Sequence, residues 1–312
     1  MIYRKKLILL SALAAALAAV YILTFVLDPG RRHDRAFAWL EPRLHSLADR
    51  IELSGPAGNA VLIRRNDAWF LSTGWGEYPV RQQRVQDLFA SLSRRDVYTL
   101  RSASLEARES LGLSIGSASR ITVRGGAGLP LLDLLIGIGG AVGRDVYLAR
   151  ADAREIYSGE DRFTAFTDSG PLFWLDLRLF AEGPPRTAAM VQQAEVAFAP
   201  AGAPPASYLL RRSGGGWVMQ GEDAGASGPR VEAWLRAVLE AAGEDFSPQA
   251  PPAIEGTITL WFGDGTTRSM YVGPPEDGEN HRRAAVSGSP LVFVISGWTA
   301  DRLFRERSHF LQ

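Results

Sequence analysis

Cysteine is absent from the 312 residues, so disulfides, thiol nucleophiles and Cys-based metal or redox centres are excluded. An oxidising compartment is permitted but not required. Lysine is nearly absent as well. Only Lys5 and Lys6 occur among 34 basic residues, and the rest are arginines, which in an Ala- and Gly-rich chain reads as coding bias. Excess charge of either sign is missing, since 34 acidic residues balance the basic ones. Setting aside Arg4, Lys5 and Lys6 leaves 31 basic against 34 acidic residues. No basic stripe is visible, which excludes a nucleic-acid partner. The four histidines, His33, His45, His281 and His309, stand far apart and show no zinc spacing.

At 46% hydrophobic and 22% charged, the chain is globular in composition and long enough for two domains. Residues 7–27 form one uncharged run, LILLSALAAALAAVYILTFVL. As a helix it would extend ~32 Å, close to the thickness of a bilayer core. A cleaved signal peptide would need its small-residue site after the apolar run, but here bulky residues follow the alanines. The reading is a retained single-pass anchor over residues 1–30, partnered by the lipid bilayer through residues 7–27. Arg4, Lys5 and Lys6 favour a cytoplasmic N-terminus, with the bulk of the chain outside the cytoplasm, although Arg31, Arg32, Arg35 and Arg43 nearly balance them. Residues 31–48 form a juxtamembrane connector. Its Phe37, Trp39 and Leu40 sit either at the membrane interface or in a short packed helix.

Behind the anchor one pattern occurs twice. Val61-Leu62-Ile63-Arg64-Arg65 precedes Trp69-Phe70-Leu71, as Tyr208-Leu209-Leu210-Arg211-Arg212 precedes Trp217-Val218-Met219. Each reads as a β-hairpin around a short polar turn. An amphipathic helix follows in both copies. Its stripe is Val85, Leu88, Phe89 and Leu92 in one and Val231, Trp234, Leu235, Val238 and Leu239 in the other. Ile121-Thr122-Val123 then matches Ile258-Thr259-Leu260. The strands near residues 131–136 and 268–272 end at Gly137 and Gly273. The first copy carries an extra helical segment over residues 105–111, closed by Gly112. Beyond Gly137 the register stays open, with Val146-Tyr147-Leu148 set against the strand within residues 291–295 and a second alignment competing. Period-2 alternation sends Trp69 with Leu71, and Trp217 with Met219, toward the helix-covered face. The expected class is α+β: an N-terminal transmembrane helix, then two tandem units, each an antiparallel sheet with a packed helix. The units span residues 49–180 and 195–312, and residues 181–194 link them.

This order resembles the bacterial domain-of-unknown-function 4340 family. The strand with Ile51 and Leu53, then Tyr78-Pro79-Val80 before a helix, Leu111-Gly112-Leu113, Leu134 to Gly137 and Trp174-Leu175-Asp176-Leu177-Arg178 carry the resemblance. It covers most of residues 49–180, with a weaker copy in 195–312 that lacks a clear counterpart of Leu111-Gly112-Leu113. The resemblance implies a periplasmic envelope protein associated with ABC-transporter or gliding-motility auxiliary components. It brings no catalytic residues.

Chemistry is sparse. Gly137-Ile138-Gly139-Gly140-Ala141-Val142-Gly143 departs from G-x-G-x-x-G at Val142 and precedes a strand, so it reads as a hairpin loop. Ser158-Gly159 and Ser296-Gly297 lack a nucleophile motif and read as turns, and Glu160-Asp161 and Glu276-Asp277 read as solvated pairs. No catalytic, cofactor or metal constellation emerges. Trp75 and Tyr78 lie in the Gly-flanked loop Gly74-Trp75-Gly76-Glu77-Tyr78, where aromatics either cap the helix–sheet core or form a binding surface. The expectation is a non-enzymatic, membrane-tethered scaffold serving an ABC-type permease or another envelope assembly. The alternatives are a ligand-binding module with a pocket between the repeats and an enzyme acting on envelope glycan or lipid.

Overall fold

The computed structural model describes residues 14–20, 34–137, 139, 145–181, 186–199, 205–221, 225–276 and 280–311. The chain divides into two compact units, Met1–Leu175 and Asp176–Gln312. Among the described residues 44% are strand and 25% helix, gathered into two large antiparallel sheets. The expected α+β class is therefore corrected to mostly β. The amphipathic stripes identify one long helix per unit, but each unit sets that helix against nine or ten strands.

The N-terminal transmembrane helix is also corrected. Residues 14–20 are helical, and the remainder of the 7–27 run lies outside the described residues. Among the described residues no helix is long and apolar enough to cross a membrane.

The first unit contains β1 (Asp34–Phe37), β2 (Ala48–Gly55), β3 (Gly58–Arg65), β4 (Ala68–Ser72) and β5 (Glu77–Pro79). Helix α1 (Gln82–Ser93) follows, then β6 (Asp96–Ser102), β7 (Ser119–Gly125), β8 (Pro130–Ile136), β9 (Asp145–Arg150) and β10 (Ile156–Glu160). The sheet order is β1-β6-β10-β9-β8-β7-β2-β3-β4-β5. Asn66 and Asp67 turn the β3–β4 hairpin with φ of +47° and +66°, the left-handed pair that matches the twist of the flanking strands. On the inward face Ile51, Leu53, Leu62, Trp69 and Leu71 are buried, and α1 buries Val85, Leu88, Phe89 and Leu92. The connector residues Trp39 and Leu40 are buried as well, and Phe37 ends β1. They occupy neither a membrane interface nor a packed helix, because Arg35, Phe37 and Trp39 alternate as an extended segment does.

The second unit contains β11 (Val191–Phe198), β12 (Ala206–Ser213), β13 (Gly216–Met219) and β14 (Gly225–Ala226). Helix α2 (Gly228–Leu239) follows, then β15 (Asp245–Ser247), β16 (Gly256–Phe262), β17 (Thr267–Pro275), β18 (His281–Val286), β19 (Val292–Ser296) and α3 (Gly297–Leu303). Its order is β14-β13-β12-β11-β16-β17-β18-β19-β15. Here Gly214 and Gly215 supply the two left-handed turn residues, at φ +59° and +83°. Trp217 and Met219 are buried beneath Val231, Trp234, Leu235 and Val238 of α2.

Read from β5, the first sheet runs through β4, β3, β2, β7, β8, β9, β10 and β6. That is the order of the second sheet read from β14, strand for strand. The shared order pairs β9 with β18 and β10 with β19. Val146-Tyr147-Leu148 therefore corresponds to the strand at 281–286 rather than to the one at 291–295. A counterpart of β1 is present too: Arg178 bridges Ala242, with Leu179 N donating to Ala241 O at 2.9 Å and Gly243 N to Leu177 O at 2.8 Å. This edge segment places residues 176–179 with the second unit. Within the expected linker, Ala188–Met190 forms a 3-10 turn, β11 already opens at Val191, and 182–185 lie outside the described residues.

Candidate functional site

The hairpin between β4 and β5 carries both aromatics singled out in the sequence. Thr73 organises its turn. The Thr73 hydroxyl donates to Gly76 O at 3.1 Å and accepts from Trp75 N and Gly76 N, both at 3.2 Å. One donor and two lone pairs are thus all used. Thr73 N also donates to Gly76 O at 2.9 Å, so the four residues form a closed, internally satisfied loop. The indole of Trp75 stands outside it with 81% of the residue exposed. Tyr78 lies on β5, half-buried and paired with Leu71 across the sheet. The structure thus brings the two residues onto one hairpin but separates their roles: Tyr78 leans on the sheet, and Trp75 faces solvent. β5 is the last strand of its sheet, and Glu77 on it pairs with Arg65 at 3.4 Å.

The described histidines are each held against a neighbouring side chain. His45 meets Ser93 Oγ at 2.5 Å and lies 4.7 Å from the Phe89 ring, and burial holds its pKa below the ordinary histidine value. His281 pairs with Glu244 at 2.9 Å. His309 lies 5.0 Å from the ring of Phe310, its pKa lowered by burial and then by Arg305 and Arg230. His33 lies outside the described residues. Burial raises the phenols of Tyr98 and Tyr208. Among the described residues no group of three His, Asp or Glu side chains is placed to hold a metal.

Neither the Ser158 nor the Ser296 hydroxyl is hydrogen-bonded to a histidine among the described residues. Ser158 is not in a turn but buried on β10, where its hydroxyl accepts from Arg101 Nε at 2.8 Å. Ser296 caps α3, accepting from Thr299 N at 3.4 Å. Asp161 accepts from the backbone of Phe163 and Thr164 at 3.2 and 3.1 Å, and Glu160 is bound by Arg162 at 2.7 Å. Of the glycine-rich loop after β8, only Gly137 and Gly139 are described. A Cβ on Gly137 would stand 2.3 Å from Leu111 O, so that glycine admits a close backbone approach.

One feature of the first unit escaped the sequence reading. Phe37 lies 5.0 Å from Trp39, 4.9 Å from Tyr98 and 5.1 Å from Tyr157, forming a four-ring cluster beside β1. The alternation of Arg35, Phe37 and Trp39 was the available signal. Their convergence with Tyr98 and Tyr157, 59 or more residues away, was not readable locally.

No protein-family model matches the chain, and no curated protein or solved structure matches it either. The resemblance described above therefore rests on the residues quoted for it.

Proposed function

We propose that the chain is a non-enzymatic interaction module that docks a partner protein through the Trp75 hairpin. The observation that carries this reading is a large indole, 81% exposed, on a turn whose own hydrogen bonds are already satisfied. A rigid aromatic of this kind loses little conformational freedom on binding and contributes a large contact area, as interface anchors do. β5 lies at the edge of its sheet, the kind of position where a partner strand can add.

On this proposal the protein resides at the bacterial cytoplasmic membrane with its sheets outside the cytoplasm. The resemblance supports that location and a permease or auxiliary subunit of an ABC-type transporter as the partner. The experiment is site-specific photo-crosslinking from position 75 in whole cells, with position 298, also an exposed tryptophan, as a control in the other unit. A permease-containing adduct formed from 75 and lost in competition with the untagged protein is the expected result. Equal adducts from both positions, or co-purification unaffected by Trp75→Ala, would overturn the reading.

A further inference from the structure

The aromatic cluster of the first unit floors a groove, and one guanidinium at its rim meets no carboxylate among the described residues. Phe37, Trp39 and Tyr157 form the apolar wall of a cavity of about 580 Å³, while Arg35, Arg150 and Glu155 carry its charge. That volume falls within the ~300–1,000 Å³ of typical small-molecule sites. Alternation along β1 sends Arg35 and Phe37 to one face of the sheet and Asp34 and Ala36 to the other. Asp34 is engaged there, accepting from Thr99 Oγ1 at 2.7 Å. Arg150 is shared with Asp152 at 3.3 Å. Arg35 reaches only the Tyr157 hydroxyl, at 3.4 Å, and meets no carboxylate among the described residues. With Asp152 beside Arg150 and Glu155 on the rim, carboxylates match the two guanidinium groups in number, but Arg35 stands over the apolar floor without a carboxylate partner among the described residues.

We propose that this groove binds a small organic anion, a carboxylate or phosphate monoester carried on a flat aromatic body. Arg35 takes the charged oxygens, because its planar fork of donors matches carboxylate and phosphate geometry. The body lies against Phe37, Trp39 and Tyr157, where ring-to-ring contact adds to the gain from area burial. A cationic ligand would face the Arg35 guanidinium, and a neutral one would offer it no charged acceptor. The site is peculiar to the first unit. Matched strand for strand, Phe293 stands where Tyr157 does, and the β1 counterpart contains Leu177 and Arg178 instead of Phe37. It lies apart from the Trp75 hairpin, at the opposite end of the sheet order.

The test is isothermal titration of the full chain in detergent micelles with three probes that share one body: 2-naphthoate, 2-naphthyl phosphate and 2-naphthol. Each is also titrated into protein-free micelles to remove partitioning. At least one anion should bind saturably and about tenfold or more tighter than 2-naphthol, as a charge-assisted hydrogen bond implies. The tighter anion identifies the head group. Arg35→Glu should weaken that anion about tenfold without changing Tm, since Arg35 is exposed. Should the charge reversal lower Tm, Arg35→Gln makes the same comparison. Phe37→Ala should weaken all three probes. Absence of saturable binding by either anion overturns the proposal. So does an equal affinity for 2-naphthol, or an anion affinity indifferent to both Arg35 substitutions.

Discussion

Trp69→Ala should destabilise the first unit sharply, whereas Trp75→Ala, six residues along the same hairpin, should leave its stability unchanged. Trp69 is 7% exposed and its ring lies 5.9 Å from Phe89 of α1. Truncation would remove roughly 150 Å² of buried apolar area, worth ~4 kcal/mol at about 25 cal/mol per Å². This agrees with the ~3–5 kcal/mol seen for large-to-Ala changes in cores. In a unit of this size each kcal/mol lowers Tm by about 2–4 °C, so the shift should be roughly 10–15 °C. The backbone around Trp69 is held independently of its indole. Gln82 accepts from Trp69 N and donates to Trp69 O, both at 3.0 Å, so the substitution tests the side chain alone. Trp75, by contrast, buries almost nothing in the chain, and its removal should stay within about 0.5 kcal/mol. Differential scanning calorimetry of the two variants and the parent measures this directly. If the two variants melt together, the packing of α1 against the β3–β4 hairpin is not what stabilises the unit, and the hairpin register is wrong.

Two further outcomes follow from close packing and from titration. Gly159→Ala would place a Cβ 2.5 Å from Cδ1 of the buried Tyr98, so chemical denaturation should show a loss of about 1–3 kcal/mol, and a neutral result would contradict the ring's position. His45 has its pKa lowered by burial, so the folded state disfavours its protonation and the unfolded state does not. Its contribution to stability is whole above the ordinary value of 6.5 and is lost as pH falls from there through the lowered folded value. Urea midpoints measured across that window should fall with pH in the parent and fall less steeply in His45→Gln; identical slopes would refute the assignment.

Features set by neighbours in the chain were legible in the sequence. Alternation placed Trp69 and Leu71, and Trp217 and Met219, on the buried side of their hairpins, because successive side chains of a strand must point to opposite faces. The i, i+3, i+4 and i+7 stripes identified the buried faces of both long helices. The turns at Asn66-Asp67 and within residues 213–216 were readable from their polar or Gly-rich composition, and the structure puts the positive φ on Asn66, Asp67, Gly214 and Gly215. The Trp75 loop was legible as Gly-flanked and aromatic, but not the direction of either ring.

What the tertiary structure alone decided depends on contacts between distant residues. The balance toward β came from how many short strands join one sheet, and strands such as β5, β14 and β15, two or three residues long, exist only through their partners. The register beyond Gly137 depended on strand order, which pairing across the sheet settles and no local period encodes. The connector was misread for the same reason: Phe37 and Trp39 look like interfacial aromatics until Tyr98 and Tyr157 are brought beside them. A side chain's burial belongs to the assembled sheet. The sequence could determine which faces are apolar, but only the fold could choose what each face meets.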